Sequence, residues 1–398
     1  VLHVESAGNL SPVMQAYGRF PMTVVRGKGC YLWDDQGIKY LDFTAGIAVC
    51  ALGHVPDQVK EVLQKQLATL WHCSNLFHIA PQEALAKRLT DATCCDQVFF
   101  CNSGAEANEG AVKLARLYAH RVQHRPSGQI VTFTHSFHGR TLATLTATAQ
   151  TQLQEGFGPL VPGFKYLPYN SEEAIDTLRK DDDCIAVMME MVQGEGGVIP
   201  ADPQWVTKLA EVCRVKDILL IVDEVQTGIG RTGSFFAYEQ YGIEPDIVTM
   251  AKALGSGIPI GAFMAKKKVS MLMTAGSHGS TFGGNPFAMT AGLATLDVFA
   301  KNHIIDHCRS VAAYLMKKLR ALQASYPGLI KEVRGKGLMI GVETAFPALD
   351  AVNELRTKHH VLLLTAGKFV LRILPPLIVT SEQIDRFIAA LDEVLSSH

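Results

Sequence analysis

The sequence has no long apolar run. Its longest aliphatic stretches span about five residues, as in Ile218–Val222, against the ~20 needed to cross a bilayer. No C-x-x-C occurs among the nine cysteines, at 30, 50, 73, 94, 95, 101, 184, 213 and 308. An odd number at scattered spacings argues against a secreted disulfide framework and the common zinc sites, and for a reducing compartment. The 14 histidines contain no H-E-x-x-H, and His359–His360 and His303/His307 read as surface or helix-face residues, so no metal site is expected. An excess of either charge is also missing. Lys+Arg number 37 against 38 Asp+Glu, a net charge of -1, which leaves no electrostatic footprint for nucleic acid or an anionic membrane. The opening residues VLHVESAGNLSPVMQ show no basic segment followed by an apolar core, so no signal peptide is expected. Repeats and low-complexity stretches are absent.

What remains is a globular composition, 48% hydrophobic and 19% charged over 398 residues. That length suggests two or three domains and a core large enough to fold without staples. A hairpin is expected where Cys30–Asp34 and Lys39–Phe43 flank Asp35-Gln36-Gly37. From about residue 97, short apolar runs alternate with helix-length stretches. Strands are expected at Val98–Phe100, Ile130–Phe133, Ile185–Met189, Ile218–Val222, Ile247–Met250 and Gly261–Ala265, with helices such as Glu106–Gln123 and Gln204–Lys216 between them. This is the pattern of an α/β domain with a mainly parallel sheet. Beyond about residue 290 the spacing predicts helices at Thr290–Lys301 and Ile305–Gln323. Short strands at Leu338–Val342, Val361–Leu364 and Val370–Ile373 follow, then a last helix at Ser381–Ser396. The expected division is an N-terminal segment 1–55, a large domain 56–290 and a smaller α+β C-terminal domain 291–398.

In open α/β sheets ligands bind beyond the carboxyl ends of the strands. Five successive strands are followed by polar, glycine-bearing loops starting near Cys101, Thr134, Glu190, Asp223 and Ala251, which points to one shared site. Ser103-Gly-Ala-Glu106 has the form of a capping box, and Ala107, Ala111, Leu114 and Tyr118 continue at helical spacing. The helix start leaves N–H groups open to an anion, although by itself it is an ordinary cap. Asp223 is a plain strand-end carboxylate, a metal-holding residue beside a phosphate loop, or a partner for a pyridinium nitrogen. The second reading fails because no G-x-x-x-x-G-K-[ST] occurs. Gly228-Ile-Gly230-Arg-Thr-Gly233 matches G-x-G-x-x-G, but it is separated from the strand and no crossover helix follows. Lys252 ends the fifth unit. A lysine amine, a carboxylate and a helix N-terminus on one sheet edge are the three fixtures that pyridoxal phosphate needs.

On these residues the chain resembles the class III pyridoxal-phosphate aminotransferases over essentially its whole length. The matching segments are Arg26-Gly-Lys-Gly-Cys-Tyr-Leu-Trp-Asp-Asp, Asn102-Ser-Gly-Ala-Glu-Ala-Asn-Glu, Ser136-Phe-His-Gly-Arg-Thr, Gln193-Gly-Glu-Gly-Gly, Asp223-Glu-Val-Gln-Thr-Gly-Ile-Gly-Arg-Thr-Gly, Ala251-Lys-Ala-Leu-Gly, Ser280-Thr-Phe-Gly-Gly-Asn-Pro and Arg334-Gly-Lys-Gly-Leu. Within the class, Gly46-Ile-Ala-Val-Cys-Ala-Leu-Gly-His, Leu70-Trp-His-Cys-Ser-Asn-Leu-Phe, Phe137-His-Gly-Arg and Leu371-Arg-Ile-Leu-Pro-Pro are most similar to the acetylornithine aminotransferases. The tyrosine that ornithine δ-aminotransferases carry near Ile47–Ala48 is missing. Glu190-Met191, Gly255-Ser256-Gly257 and Val55-Pro56-Asp57 depart from the usual Glu-Pro, Gly-Gly-Gly and Cys-His-Pro.

The resemblance implies the type I aminotransferase fold, a cytoplasmic homodimer with shared sites, and pyridoxal 5′-phosphate as cofactor. Lys252 would hold the cofactor and shuttle the proton, and Asp223 would keep the ring nitrogen protonated. Gln226 would meet the ring's 3-hydroxyl and Phe137 the ring face, with Glu224 and Val225 completing the strand-end contacts. Ser103, Gly104 and Ala105 would hold the phosphate with Thr281 of the other subunit. Arg140 would bind the donor's α-carboxylate, a bidentate task suited to a planar guanidinium, and Ser280 would lie close to the donor. Arg372 would take the α-carboxylate of glutamate or 2-oxoglutarate, with Glu195 as its mobile counter-charge. The implied reaction moves the δ-amino group of N2-acetyl-L-ornithine to 2-oxoglutarate, in arginine biosynthesis. Succinylornithine, ornithine or 4-aminobutyrate transamination, and glutamate-1-semialdehyde aminomutase chemistry, remain alternatives.

Overall fold

The computed structural model describes residues 11–398. The first ten residues, on which the signal-peptide expectation largely rests and which begin the expected N-terminal segment, lie outside the described residues.

The centre is a seven-stranded sheet of β1 (Gln97–Cys101), β2 (Gln129–Phe133), β3 (Phe164–Leu167), β4 (Cys184–Glu190), β5 (Leu219–Asp223), β6 (Ile247–Met250) and β7 (Gly261–Ala265). Their spatial order is β1-β7-β6-β5-β4-β2-β3, with only β7 antiparallel to its neighbours. All seven residues of β4 and all five of β5 are buried. Strands covered on both faces read as continuous apolar runs, which is why they are legible in the sequence. Helix α1 (Gly104–Arg121) packs Ala107, Ala111, Leu114 and Tyr118 inward. The helix Pro203–Val215, capped by the Asp202 carboxylate accepting from Trp205 N, buries Trp205, Val206 and Leu209. β3 was not expected: its FKYL sequence is short, and it sits at the sheet edge beside β2.

Residues 330–373 form an antiparallel sheet in the order Ile330–Lys336, Met339–Thr344, Val370–Ile373, Leu364–Thr365. It lies with the helices Ile304–Ser325, Ala348–His359 and Ser381–Ser396. The single strand expected at Val361–Leu364 is two. Val361 pairs with Leu41, whereas Leu364 pairs with Arg372, so the chain passes between two sheets within four residues. That first pairing joins the N-terminal strands, whose hairpin Tyr31–Asp34/Lys39–Asp42 turns at Gly37 (φ 80°). One face of the large sheet and the C-terminal helices share a buried cluster that includes Leu209, Phe236, Phe299 and Phe387, while the other face packs separately against α1 through Ala111, Leu114, Ile130, Met188 and Ile221. Among the described residues no helix is long and apolar enough to cross a membrane.

Candidate active site

A cavity of about 450 Å³ opens at the carboxyl edge of the sheet. It is lined by Asn102–Ala105 after β1, Phe137–Arg140 after β2, Glu190 at the end of β4, Asp223, Val225 and Gln226 after β5, and Ala251–Lys252 after β6. The five loops singled out in the sequence thus meet. Val49, Asn108 and Gly257–Ile260 complete the wall.

Ser103 is the N-cap of α1, its hydroxyl accepting from Glu106 N at 3.1 Å. The Glu106 carboxylate accepts from Asn102 N at 2.6 Å, one residue before the N-cap, so the expected capping box forms only on its Ser103 side. The backbone of Gly104 and Ala105 is left facing the cavity at the positive end of an 18-residue helix. A side chain at position 104 would place its Cβ 2.6 Å from Val225, so only glycine lets the helix start lie this close to the β5 loop.

Asp223 is almost fully buried and oriented from four sides. Its Oδ2 accepts from Asn108 Nδ2 and meets His138 Nδ1, both at 2.8 Å. Its Oδ1 accepts from Val225 N at 2.9 Å and from the Thr249 hydroxyl at 3.5 Å. Burial opposes charge on His138, but the Asp223 carboxylate outweighs it and raises the imidazole pKa. Glu190 is the register partner of Asp223 on the neighbouring strand. Its carboxylate accepts from Phe137 N (2.9 Å) and Gly194 N (3.4 Å), and burial lifts its pKa to about 7, against the pull of His138. Lys252 sits at φ 41°, and burial pushes its amine down to about 8, with Glu195 raising it and Arg372 lowering it further.

Glu195 and Arg372 stand at the rim, outside the lining itself. Arg372 Nη1 donates to Glu195 Oε1 at 2.5 Å, with the guanidinium 5% exposed and the carboxylate 29%. Arg140 lines the cavity, its guanidinium 5.6 Å from the Phe137 ring centre, and makes no ion pair among the described residues.

Glu224, Ser280 and Thr281 do not line the cavity of their own chain. Glu224 turns away: its carboxylate accepts from Tyr238 N and Thr227 Oγ1, fully buried with its pKa raised to about 7. A residue next to Asp223 at the end of a strand faces the opposite side of the sheet, and Glu224 caps the turn Ala237–Tyr241 instead. The Ser280 hydroxyl is held by Asn102 Nδ2 (3.3 Å) and Gly283 N (2.9 Å), and it does not line the cavity of its own chain. Thr281 is exposed on the same loop. The glycine-rich Gly228–Gly233 segment leads into no crossover helix, and Gly230 packs towards Phe299.

Residues that the sequence reading left without a role are Val49, Asn108, His138, Glu190 and Ile258. Asn108 carried a signal: it is an amide inside the apolar stripe between Ala107 and Ala111. Glu190 was the first polar residue after an apolar strand.

The cavity suits pyridoxal phosphate. Gln226 Oε1 is buried without a partner, Asp223 is fixed beside it, an N-terminal helix turn faces the same space, and a lysine amine of lowered basicity closes the set.

The chain matches the family model "Aminotransferase class-III" over residues 13–395. It is 51% identical over 384 residues to an acetylornithine aminotransferase of Oceanobacillus iheyensis, covering 96% of each chain. It is 46% identical to that of Bacillus subtilis, covering 98% of this chain and 99% of the relative. Among solved structures it superposes on the ornithine aminotransferase of Toxoplasma gondii with a TM-score of 0.93 at 32% identity (97% and 93% covered). The N-acetylornithine aminotransferase of Stenotrophomonas maltophilia gives 0.83 at 36% identity (96% and 97%). With the strand-end lysine, carboxylate and helix N-terminus assembled as described, the chain belongs to the class III aminotransferases, enzymes that work with pyridoxal 5′-phosphate.

Proposed function

We propose that this enzyme transfers the δ-amino group of N2-acetyl-L-ornithine to 2-oxoglutarate, giving N-acetylglutamate 5-semialdehyde and glutamate, as a step of arginine biosynthesis in the cytoplasm. The observation that carries the reading is the Arg372–Glu195 pair beside Lys252. One donor reacts at a carbon with no carboxylate beside it, the other at a carbon that bears one. A cation that is paired for the first and free for the second serves both, because an unpaired desolvated charge is costly.

When bound, the cofactor supplies an electron sink at the amino-bearing carbon. The chain's own groups do the rest. Lys252, with a pKa near 8, is neutral about one time in ten at pH 7, far more often than an ordinary lysine, and so can take and return a proton at Nζ. Asp223, held by Asn108, His138 and Val225 N, presents a fixed negative charge for the ring nitrogen. Gln226 offers its free Oε1 to the 3-hydroxyl, Phe137 covers the ring face, and the start of α1 at Ser103–Ala105 takes the phosphate. Arg140 binds the acylated donor's α-carboxylate.

We further infer a homodimer in which the Ser280–Gly284 loop serves the neighbouring site, Thr281 reaching the partner's phosphate. Trp71 (62% exposed), Leu76 (89%), Phe77 (66%) and Phe282 (62%) lie on and near that loop, an apolar surface that a second copy would cover. The division into 1–55, 56–290 and 291–398 is part of the same reading; the separate seven-stranded sheet within 97–265 and the antiparallel sheet within 330–373 support it, although the helix Pro286–Lys301 spans the second boundary. The test is a panel of acetylornithine, succinylornithine, ornithine and 4-aminobutyrate, each with 2-oxoglutarate. Highest kcat/KM for acetylornithine supports the reading, preference for free ornithine overturns it, and turnover without added 2-oxoglutarate points to mutase chemistry.

A further inference from the structure

The strands Ile330–Lys336, Met339–Thr344 and Val370–Ile373 set Arg334, Gly341 and Arg372 directly opposite one another in register. Residues opposite each other on neighbouring strands face the same side of a sheet. Strands lie about 4.8 Å apart, so the two arginines rise from one face roughly 10 Å apart at the backbone. Gly341 puts no side chain between them. The gap is filled from outside the sheet: a Cβ at position 341 would lie 2.9 Å from the Val198 Cβ. The glycine therefore makes room for residues 194–198, the turn that carries Glu195.

That turn is held from two directions. Towards the large sheet, Gly194 N donates to the Glu190 carboxylate (3.4 Å) and Gln193 Nε2 donates to Thr134 O (2.9 Å). A Cβ on Gly196 would meet His135 O at 2.5 Å, so the chain there lies against β2's loop. Towards the C-terminal sheet, Arg372 holds the Glu195 side chain and Arg334 holds the backbone two residues on. Arg334 Nε and Nη2 both donate to Gly197 O, at 3.1 and 2.8 Å. Its Nη1 donates to Glu332 and to Glu343, each at 2.6 Å, and the side chain is 11% exposed. Val198 follows at φ 54°, an angle that a β-branched residue resists. Such a turn persists only where its surroundings hold it.

The two arginines differ in their charge balance. Arg334 already carries two carboxylates and turns its remaining edge to a carbonyl, so it does not compete for Glu195 or for an incoming substrate carboxylate. Arg372 has Glu195 alone as its ion-pair partner among the described residues, and its Nε is buried without a partner. Of the two, Arg372 is the one open to exchange.

We propose that Arg334 is a positioning residue for the exchange of partners at Arg372: by fixing the Gly197 carbonyl it keeps the backbone of Glu195 within reach of Arg372, so that the pair re-forms each time glutamate leaves. This inference rests on the counter-charge role given to Glu195 above. With the turn clamped, re-pairing costs side-chain rotamer freedom and not the freedom of the backbone as well. With the clamp removed, Glu195 covers Arg372 less often, which favours glutamate and disfavours the acylated donor.

The test uses purified holoenzyme of Arg334→Met and Arg334→Lys, each made in the wild-type chain and in Glu195→Ala. Thermal melting is recorded together with single-turnover constants for acetylornithine and for glutamate. In the wild-type chain, Arg334→Met is expected to lower the ratio of the acetylornithine to the glutamate constant by about threefold or more, in the direction of Glu195→Ala but by less. Arg334→Lys keeps a cation beside Glu332 and Glu343 but lacks the planar fork that meets Gly197 O twice. It is expected to hold Tm closer to the wild type and still to lower the ratio. In Glu195→Ala neither substitution should move the ratio further, because the group through which Arg334 acts is gone. Equal falls in both backgrounds overturn the proposal, since a merely structural role would produce them. An unchanged ratio on changing Arg334 in the wild-type chain overturns it too, and if Arg334→Met fails to fold, Arg334→Lys decides. Should Glu195→Ala alone leave the ratio unchanged, the counter-charge role fails and this inference with it. Should Glu195→Ala lower the ratio while the Arg334 variants do not, this inference fails by itself. If the wild type prefers another donor in the panel, the same ratio is measured with that donor.

Discussion

Glu195→Ala separates the two half-reactions that the site has to serve. On the proposed reading, glutamate's α-carboxylate displaces Glu195 from Arg372 in the wild type, breaking a contact of 2.5 Å to a guanidinium that is 5% exposed. A charge-assisted hydrogen bond contributes about 1.5–3 kcal/mol. The carboxylate is 29% exposed, so solvent screens the pair, and a figure of about 1.5 kcal/mol is appropriate. Without Glu195 the competition vanishes, and that energy corresponds to roughly a tenfold tighter binding of glutamate and 2-oxoglutarate. The acylornithine half-reaction moves the other way, since Arg372 would face an apolar methylene unpaired, and its Nε is already buried without a partner. Single-turnover absorbance changes with each substrate alone read the two constants directly. If both half-reactions slow by the same factor, Glu195 only braces its glycine-rich loop and the switch is refuted.

In the cofactor-free protein, Lys252 should combine with added pyridoxal phosphate at a rate that rises with pH and levels off near its pKa of about 8; a rate still climbing at pH 10 would mean an ordinary lysine. Glu224 has a folded pKa of about 7, above its ordinary 4.5. The folded state therefore holds the extra proton, and the stability it brings is present at pH 4.5 and lost as pH rises through 7. Melting of wild type and Glu224→Gln from pH 5 to 8 should show the flatter profile in the variant, and parallel profiles would remove Glu224 as the source. Lys252→Ala and Thr281→Ala chains, each impaired, should recover activity on mixing, because one site of each mixed dimer carries neither change; no recovery with mixing confirmed rules out a shared site. Arg140→Lys should raise KM for acetylornithine more than for glutamate, since lysine keeps the charge but not the two-pronged geometry, whereas equal increases would mean that Arg140 is not the donor's anchor.

The strand-end site was legible because two simple signals coincide there. Buried parallel strands are written as unbroken apolar runs such as Leu219–Val222, and the first polar residue after each marks the ligand edge. Edge strands lack that signal. β3 and the strand Ile330–Lys336, which is half charged, carry little apolar pattern, and they pair only because a neighbour offers an open edge. Glu224 shows the opposite limit. Motif membership placed it at the cofactor, but the alternation of side chains at the strand end sends it into the core behind. Ser280 and Thr281 are a further kind of case: their role, if carried by a second copy, has no counterpart in the geometry of one chain.

What no linear reading supplied is how the charges are kept in place. Asp223, His138 and Glu190 come from three strand ends, and each is individually unfavourable in a buried setting. Together they are complementary: the His138 pKa rises because Asp223 is charged, and Glu190 is pushed up by burial with Asp223 beside it. Asn108 then fixes the arrangement, its single amide group reaching both the His138 carbonyl (2.7 Å) and the Asp223 carboxylate (2.8 Å). An amide that bridges the two cannot be exchanged for leucine of similar size without leaving the buried His138 carbonyl unpaired, at about 1–3 kcal/mol, and taking from Asp223 Oδ2 one of its two partners. On the proposed assignment, the helix whose start would take the phosphate also carries Asn108, one of the groups that orient Asp223 for the ring nitrogen, so the two ends of the cofactor site share one rigid element.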